Sequence, residues 1–199
     1  MYEYEMIAYD QGYTAVCGVD EAGRGPLAGD VYAAAVILPR AMEIEGINDS
    51  KKLSEKKREA LFDIIIEKSV SYCIATASVQ EIDERNILQA TLLAMRRAVA
   101  GLSPQPDLAL VDGNQDPGFS IATQTIIGGD GKSASIGAAS ILAKVARDRY
   151  MKELDNAYPQ YQFSRHKGYG TKLHYEMLAQ YGISPVHRRT FLKKILEHK

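Results

Sequence analysis

Three short apolar segments of this chain each run into a carboxylate. Cys17-Gly-Val19 leads into Asp20 and Glu21, Leu108-Ala-Leu-Val111 into Asp112, and Ile126-Ile-Gly-Gly129 into Asp130. Such segments have few ways to fold. The apolar part must lie inside a sheet, while the charged end must reach an edge where water or a ligand meets it. Thr14–Asp20 and Val31–Leu38 read as buried strands, being short, rich in alanine or β-branched residues and bounded by Gly and Pro. Ser71–Ser78, Leu108–Asp112 and Ile121–Ile127 read as three more. Apolar residues at helical spacing predict helices from Ser54 to about Lys68, over about Val79 to Ala100, and near Thr171–Tyr181 and Arg188–His198. The small-residue run that begins after Lys132, SASIGAASILAKVARDRYMKEL, predicts a further helix packed close against the sheet. Strands alternating with helices predict an α/β layer fold with a central mixed sheet flanked by helices and a helical C-terminal segment.

The length of 199 residues suits one domain, taken as 1–199, with a basic helical part from about 150 to 199. With 46% hydrophobic and 25% charged residues the composition is that of an ordinary globular protein, which excludes disordered, collagen-like and coiled-coil classes. The longest strongly apolar run, Val31–Leu38, falls far short of the roughly 20 residues of a membrane-spanning helix, and the N-terminus lacks a signal-peptide pattern. A cytoplasmic monomer with no membrane partner is therefore expected. Cys17 and Cys73 form no CxxC pair and sit in apolar runs, which favours free thiols.

The net charge of −1 conceals an asymmetry. Residues 1–131 carry 11 Lys/Arg against 20 Asp/Glu, whereas residues 132–199 carry 13 against 5 and all four histidines. An acidic body joined to a basic C-terminal third offers a candidate surface for a polyanion.

Carboxylates at the ends of neighbouring strands converge beyond the sheet, and converging carboxylates repel unless a cation joins them. All-oxygen ligands select hard cations, so two Mg²⁺ or Mn²⁺ ions about 3.5–4 Å apart would fit a site for phosphodiester chemistry. Any one of the four acids alone reads more readily as a solvated loop residue or cap, and it is the pattern of four that favours a site. Two look-alike motifs fail. Gly23-Arg-Gly25-Pro-Leu-Ala28 has dinucleotide-binding spacing, but that reading requires a helix where a β-like run follows. Gly131-Lys132-Ser133 resembles the end of a phosphate-binding loop whose first glycine would fall at Ile126. A non-catalytic nucleic-acid-binding module could use the basic third but has no need of four carboxylates.

The segment Asp20-Glu-Ala-Gly-Arg-Gly-Pro-Leu-Ala-Gly29 resembles bacterial ribonuclease HII, and the likeness continues in NDSKKLS (Asn48–Ser54), LVDG (Leu110–Gly113), GDGKSASIGAASILAKVARD (Gly129–Asp148), HKGYGT (His166–Thr171) and GISPVHRRTF (Gly182–Phe191). The Gly-Arg-Gly triplet resembles type HII rather than the sister type HIII. Asp30 departs from the family, which usually has Pro there, and puts the local strand geometry in question. The resemblance implies an RNase H-like fold and the catalytic, metal-holding set Asp20, Glu21, Asp112 and Asp130, the four acids at the predicted strand ends. It implies two divalent ions, Mg²⁺ or Mn²⁺, one activating a water for in-line attack on phosphorus and the other steadying the leaving 3′-oxygen, with 3′-hydroxyl and 5′-phosphate products. The implied substrates are RNA/DNA hybrids and DNA duplexes containing ribonucleotides, cut on the ribonucleotide's 5′ side, which would serve ribonucleotide removal and primer clean-up. Gly23, Arg24 and Gly25 would read the 2′-hydroxyl and Tyr169 would pack on the following sugar. Lys51, Lys52, Lys132, Ser133 and Lys144 are expected at phosphates. His187, Arg188 and Arg189 would support the fold or the site from behind.

Overall fold

The computed structural model describes residues 1–40, 42, 44–47 and 53–193. Lys51, Lys52 and the end of the expected last helix lie outside the described residues. Along the chain run α1 (Glu3–Asp10), β1 (Val16–Ala22), β2 (Val31–Ile37), α2 (Glu55–Lys68), β3 (Ser71–Ala77), α3 (Val79–Arg85), α4 (Ile87–Ala100), β4 (Leu108–Asp112), β5 (Ala122–Ile126), α5 (Ala134–Ala157), α6 (Phe163–His166) and α7 (Lys172–Tyr181). The five strands form one sheet in the order β3-β2-β1-β4-β5. β1, β4 and β5 run parallel, and β2 and β3 antiparallel to their neighbours, which makes the mixed sheet that the sequence predicts.

The alternation of β2 explains the layering. Val31, Ala33, Ala35 and Ile37 join Ile82, Met95 and Val99 of α3 and α4 on one face, while Ala34 and Val36 join Leu61 and Ile65 of α2 and Leu142 of α5 on the other. The small residues of α5 let it lie against the sheet at backbone distance. A Cβ placed on Gly18 of β1 would stand 2.0 Å from the Ser135 carbonyl carbon, so the central strand carries no side chain where the helix begins. Ser133 caps α5 by accepting from the Ile136 N–H, and Glu5 of α1 accepts from the Ser133 and Ser135 hydroxyls at 2.6 and 2.7 Å. That buried carboxylate at a helix start gives the acidic α1 its place, which apolar periodicity does not reveal.

Three boundaries differ from expectation. β1 continues to Ala22, so Glu21 as well as Asp20 lies within the strand. The helix expected over about Val79–Ala100 is two helices, divided at Asn86, whose φ of 72° ends α3 and whose side chain caps α4 through the Gln89 N–H. The helix expected from Arg188 does not begin there: Arg188 is extended and leads into a 3₁₀ turn at Arg189–Phe191. Asp30 does not disturb the start of β2. Its carboxylate accepts from the Val79 N–H at 3.0 Å and so ties the Gly-rich turn to the start of α3. No helix follows Gly25, and the chain passes into β2, as the rejection of a dinucleotide site requires. Among the described residues no helix is long and apolar enough to cross a membrane.

A separate apolar cluster seats the C-terminal third on the Gly-rich turn. Leu27 and Ala28 pack with Met151 and Leu154 of α5, Tyr161, Phe163, Leu178 of α7 and Leu192. The turn between β1 and β2 is thus held by residues more than a hundred positions away in sequence.

Candidate active site

The parallel strands β1 and β4 bring their carboxyl-terminal ends side by side, pairing Val19 with Val111. Asp20, Glu21 and Asp112 therefore meet at one edge of the sheet. They line a cavity of about 200 Å³ with Ala22, Gly23, Ser140, Lys144, Arg147 and Tyr169. Because successive strand residues point to opposite faces, Asp20 and Glu21 are directed to different sides of the sheet. Glu21 and Asp112 also line a smaller cavity of about 90 Å³ with Arg24, Leu88, Thr91 and Asn114. These two acids are the common wall of two adjoining spaces.

Asp130 lies in the 3₁₀ turn Gly129–Gly131 beyond β5 and is buried. It does not line the larger cavity. Its neighbour Gly129 donates its N–H to Asp112 Oδ1 at 2.6 Å, which fastens the turn to the end of β4. The structure thus groups three of the four expected acids at one cavity and places the fourth one residue from a direct bond to that group.

The electrostatics are those of a site short of positive charge. Burial, and then the charges of Glu21 and Asp112, push the Asp20 carboxyl well above the usual carboxylate range, with the Ser140 hydroxyl opposing the shift. Burial also raises Glu21, with Arg24 opposing it and Asp112 adding to it. Arg24 approaches Glu21 only to 3.5 Å and is largely exposed. Lys144 is already paired with the buried Asp148 at 2.7 Å. The donor set is all oxygen and suits a hard divalent cation. Among the described residues no group of three His, Cys, Asp or Glu side chains is placed to hold a metal ion.

Ser140, Lys144 and Arg147 reach the cavity from one face of α5, at positions i, i+4 and i+7. Sequence reading picked out Lys144 alone, although this spacing after the Ser133 cap was the available signal for the other two. Arg147 is buried, and its guanidinium donates to the carbonyls of Asp30, Lys167 and Ala28. Gly23 has φ of +98°, and a Cβ there would lie 2.0 Å from Arg147 Nε, so glycine is required on both counts. Arg24 and Gly25 are exposed between buried Gly23 and Pro26, and Tyr169 stands half exposed, 3.5 Å from where a Gly25 Cβ would be. Lys132 is exposed and its ammonium donates to the Ile127 carbonyl. Ser133 corrects the expectation. It is fully buried and its hydroxyl is engaged by Glu5 and by the start of α5, which leaves no atom for a phosphate.

Behind the turn, His187 and Arg188 are buried. Arg189 instead anchors its backbone N–H on Asp83.

The solved structures that this fold resembles include the ribonuclease H2 of Pyrococcus horikoshii, at a TM-score of 0.79 and 30% identity over 93% of this chain and 98% of that one. A ribonuclease HIII termed Bst, solved with Mn²⁺, matches at a TM-score of 0.67 over 87% of this chain and 72% of that one, and at 17% identity shares the fold alone. Fold and site together define a ribonuclease H enzyme. The family model for ribonuclease HII matches residues 17–194, and the ribonuclease HII of Vibrio campbellii is 56% identical over 98% of this chain and 92% of its own length. This chain belongs to the ribonuclease HII family.

Proposed function

We propose that this protein hydrolyses the RNA strand of RNA/DNA hybrids and cuts duplex DNA on the 5′ side of embedded ribonucleotides, with two divalent ions. One observation carries the reading: Asp20, Glu21 and Asp112 share a cavity wall with Gly23 and Tyr169, so the hydrolytic groups and the ribose-reading groups would address adjoining nucleotides of one strand. Asp20, Glu21, Asp112 and Asp130 would hold Mg²⁺ or Mn²⁺, which supply a hydroxide nucleophile at neutral pH and charge neutralisation at the leaving oxygen. The ribonuclease HIII of the same fold solved with Mn²⁺ supports that choice of ion. The exposed backbone of Arg24 and Gly25 comes close to the sugar because Gly25 carries no side chain, and the 2′-hydroxyl is the group that separates RNA from DNA. Tyr169 offers its ring to the next sugar. Lys144, which lines the cavity, and the exposed Lys132 would contact phosphates, positioning the duplex without reading its sequence.

The test is cleavage of a labelled DNA duplex carrying one ribonucleotide, beside an all-RNA/DNA hybrid, in Mg²⁺, in Mn²⁺ and in chelator. Metal-dependent cutting 5′ of the lone ribonucleotide is expected. Cutting of the hybrid alone would overturn the substrate assignment, and no cutting of either would overturn the activity.

A further inference from the structure

His187 and Arg188 are consecutive, buried, and bonded in opposite directions. Among the described residues Arg188 donates to backbone carbonyls alone: Nε to Gly29 at 2.9 Å, Nη1 to Arg24 at 2.9 Å and Pro26 at 2.8 Å, and Nη2 to Gly23 at 2.6 Å. One planar guanidinium thus fixes four peptide groups of the turn, which a single ammonium cannot do. In a trans peptide the N–H opposes the C=O. With the Gly23 and Arg24 carbonyls turned in toward Arg188, the N–H groups of Arg24 and Gly25 point away from it, and neither has a partner among the described residues. Arg188 therefore decides which edge of the exposed turn is offered to a ligand.

His187 works toward Tyr169 instead. Its Nδ1 accepts from the Ser184 N–H at 3.0 Å, which places its proton on Nε2. That Nε2 lies 3.0 Å from Nε2 of His174, whose Nδ1 lies 3.0 Å from the Tyr169 carbonyl. A carbonyl only accepts, so His174 carries its proton on Nδ1 and receives the His187 bond at Nε2. The chain of donors has one direction, from Ser184 through His187 and His174 to the backbone of Tyr169.

We propose that His187 and Arg188 form a positioning pair that holds Tyr169 and the Gly23–Gly25 turn in fixed register, and so sets discrimination between a lone ribonucleotide and continuous RNA. The proposal rests on the ribose-reading roles given above to the turn and Tyr169. The ratio of kcat/KM on the one-ribonucleotide duplex to that on the hybrid reads it directly. A purely structural role would lower both values together. The ratio is measured for Arg188→Lys, His174→Leu, His174→Asn and Tyr169→Ala, at a temperature below the melting transition of each variant. Binding anisotropy in chelator, comparing the one-ribonucleotide duplex with all-DNA duplex, gives a second readout free of turnover.

The ratio should fall about tenfold in Arg188→Lys and His174→Leu, equivalent to about 1.4 kcal/mol. It should recover in His174→Asn, whose amide N–H can stand in for Nδ1, and the anisotropy preference should follow the same order. Ratios within twofold of wild type in both Arg188→Lys and His174→Leu, while Tyr169→Ala lowers it, would overturn the positioning pair alone. An unchanged ratio in Tyr169→Ala would overturn the ribose-reading assignment, and the pair with it. Should Arg188→Lys fail to fold, the comparison of His174→Leu with His174→Asn decides.

Discussion

The carboxylate edge of the sheet and the turn beside it are built on opposite terms. At the edge, buried Asp20 and half-buried Glu21 lie close to Asp112, Arg24 comes to 3.5 Å from Glu21, and burial and repulsion raise the carboxyls of both Asp20 and Glu21. At the turn, Arg147 and Arg188 are sunk among carbonyl oxygens and make at least seven donor bonds between them. Burial, with Arg147 nearby, pulls Arg188 down to about 9, which leaves it a cation at neutral pH. One region is complete as it stands and the other calls for added positive charge. On the proposed function, recognition is preorganised and the chemistry would take an added cation.

The largest effect should come from breaking the acidic side. Asp112→Asn removes one of the two acids that face both cavities and is expected to lower cleavage about a hundredfold or more, by the loss of metal-assisted water activation. Duplex binding should hold or improve, since a negative charge is removed. Gel-shift and cleavage assays on one preparation separate the two, and near-normal turnover would break the comparison.

A second effect falls on the other side and depends on pH. Burial lowers both His174 and His187 to about 4, against an ordinary value of 6.5. The unfolded chain binds more protons than the folded one between these values, so stability is full above about pH 6.5 and declines as pH falls toward 4. The loss should reach at most about 3 kcal/mol per ring, less where the paired rings titrate together. Urea unfolding midpoints at pH 7, 5.5 and 4.5 measure it. Replacing His174 with Leu should flatten the slope, and an unchanged slope would show that the rings are not the cause.

The smallest effect sharpens the boundary of the turn. Asp30→Ala removes the bond to Val79 and should cost about 0.5–1 kcal/mol, with cleavage unchanged, because Ser78 and Glu81 still cap α3. A melting curve and one cleavage assay suffice.

The same contrast explains what the sequence disclosed. Carboxylates at the ends of apolar runs are a linear pattern, so Asp20, Glu21, Asp112 and Asp130 were legible, and the alternation of strands and helices with them. Arg147, Arg188 and His174 act through carbonyl oxygens brought together only by folding, and a carbonyl has no letter in a sequence. Ser133 misled because a serine beside a lysine and a glycine-rich turn reads as a phosphate contact, whereas its neighbour in space is Glu5, 128 positions away. The break at Asn86 was hidden by apolar residues on both sides of it, Ile82 before and Leu88, Leu92, Met95 and Val99 after.

The most direct test of the whole account is thermal melting in chelator and in increasing Mn²⁺ for wild type, Asp112→Asn and Tyr169→Ala. Binding to the folded state alone at a hundred times Kd adds about 2.7 kcal/mol, or about 5–10 °C for a chain of this size. Wild type and Tyr169→Ala should show that rise and Asp112→Asn should not. An equal rise in Asp112→Asn, or none in wild type at any Mn²⁺ concentration, would contradict a cation site at the strand ends.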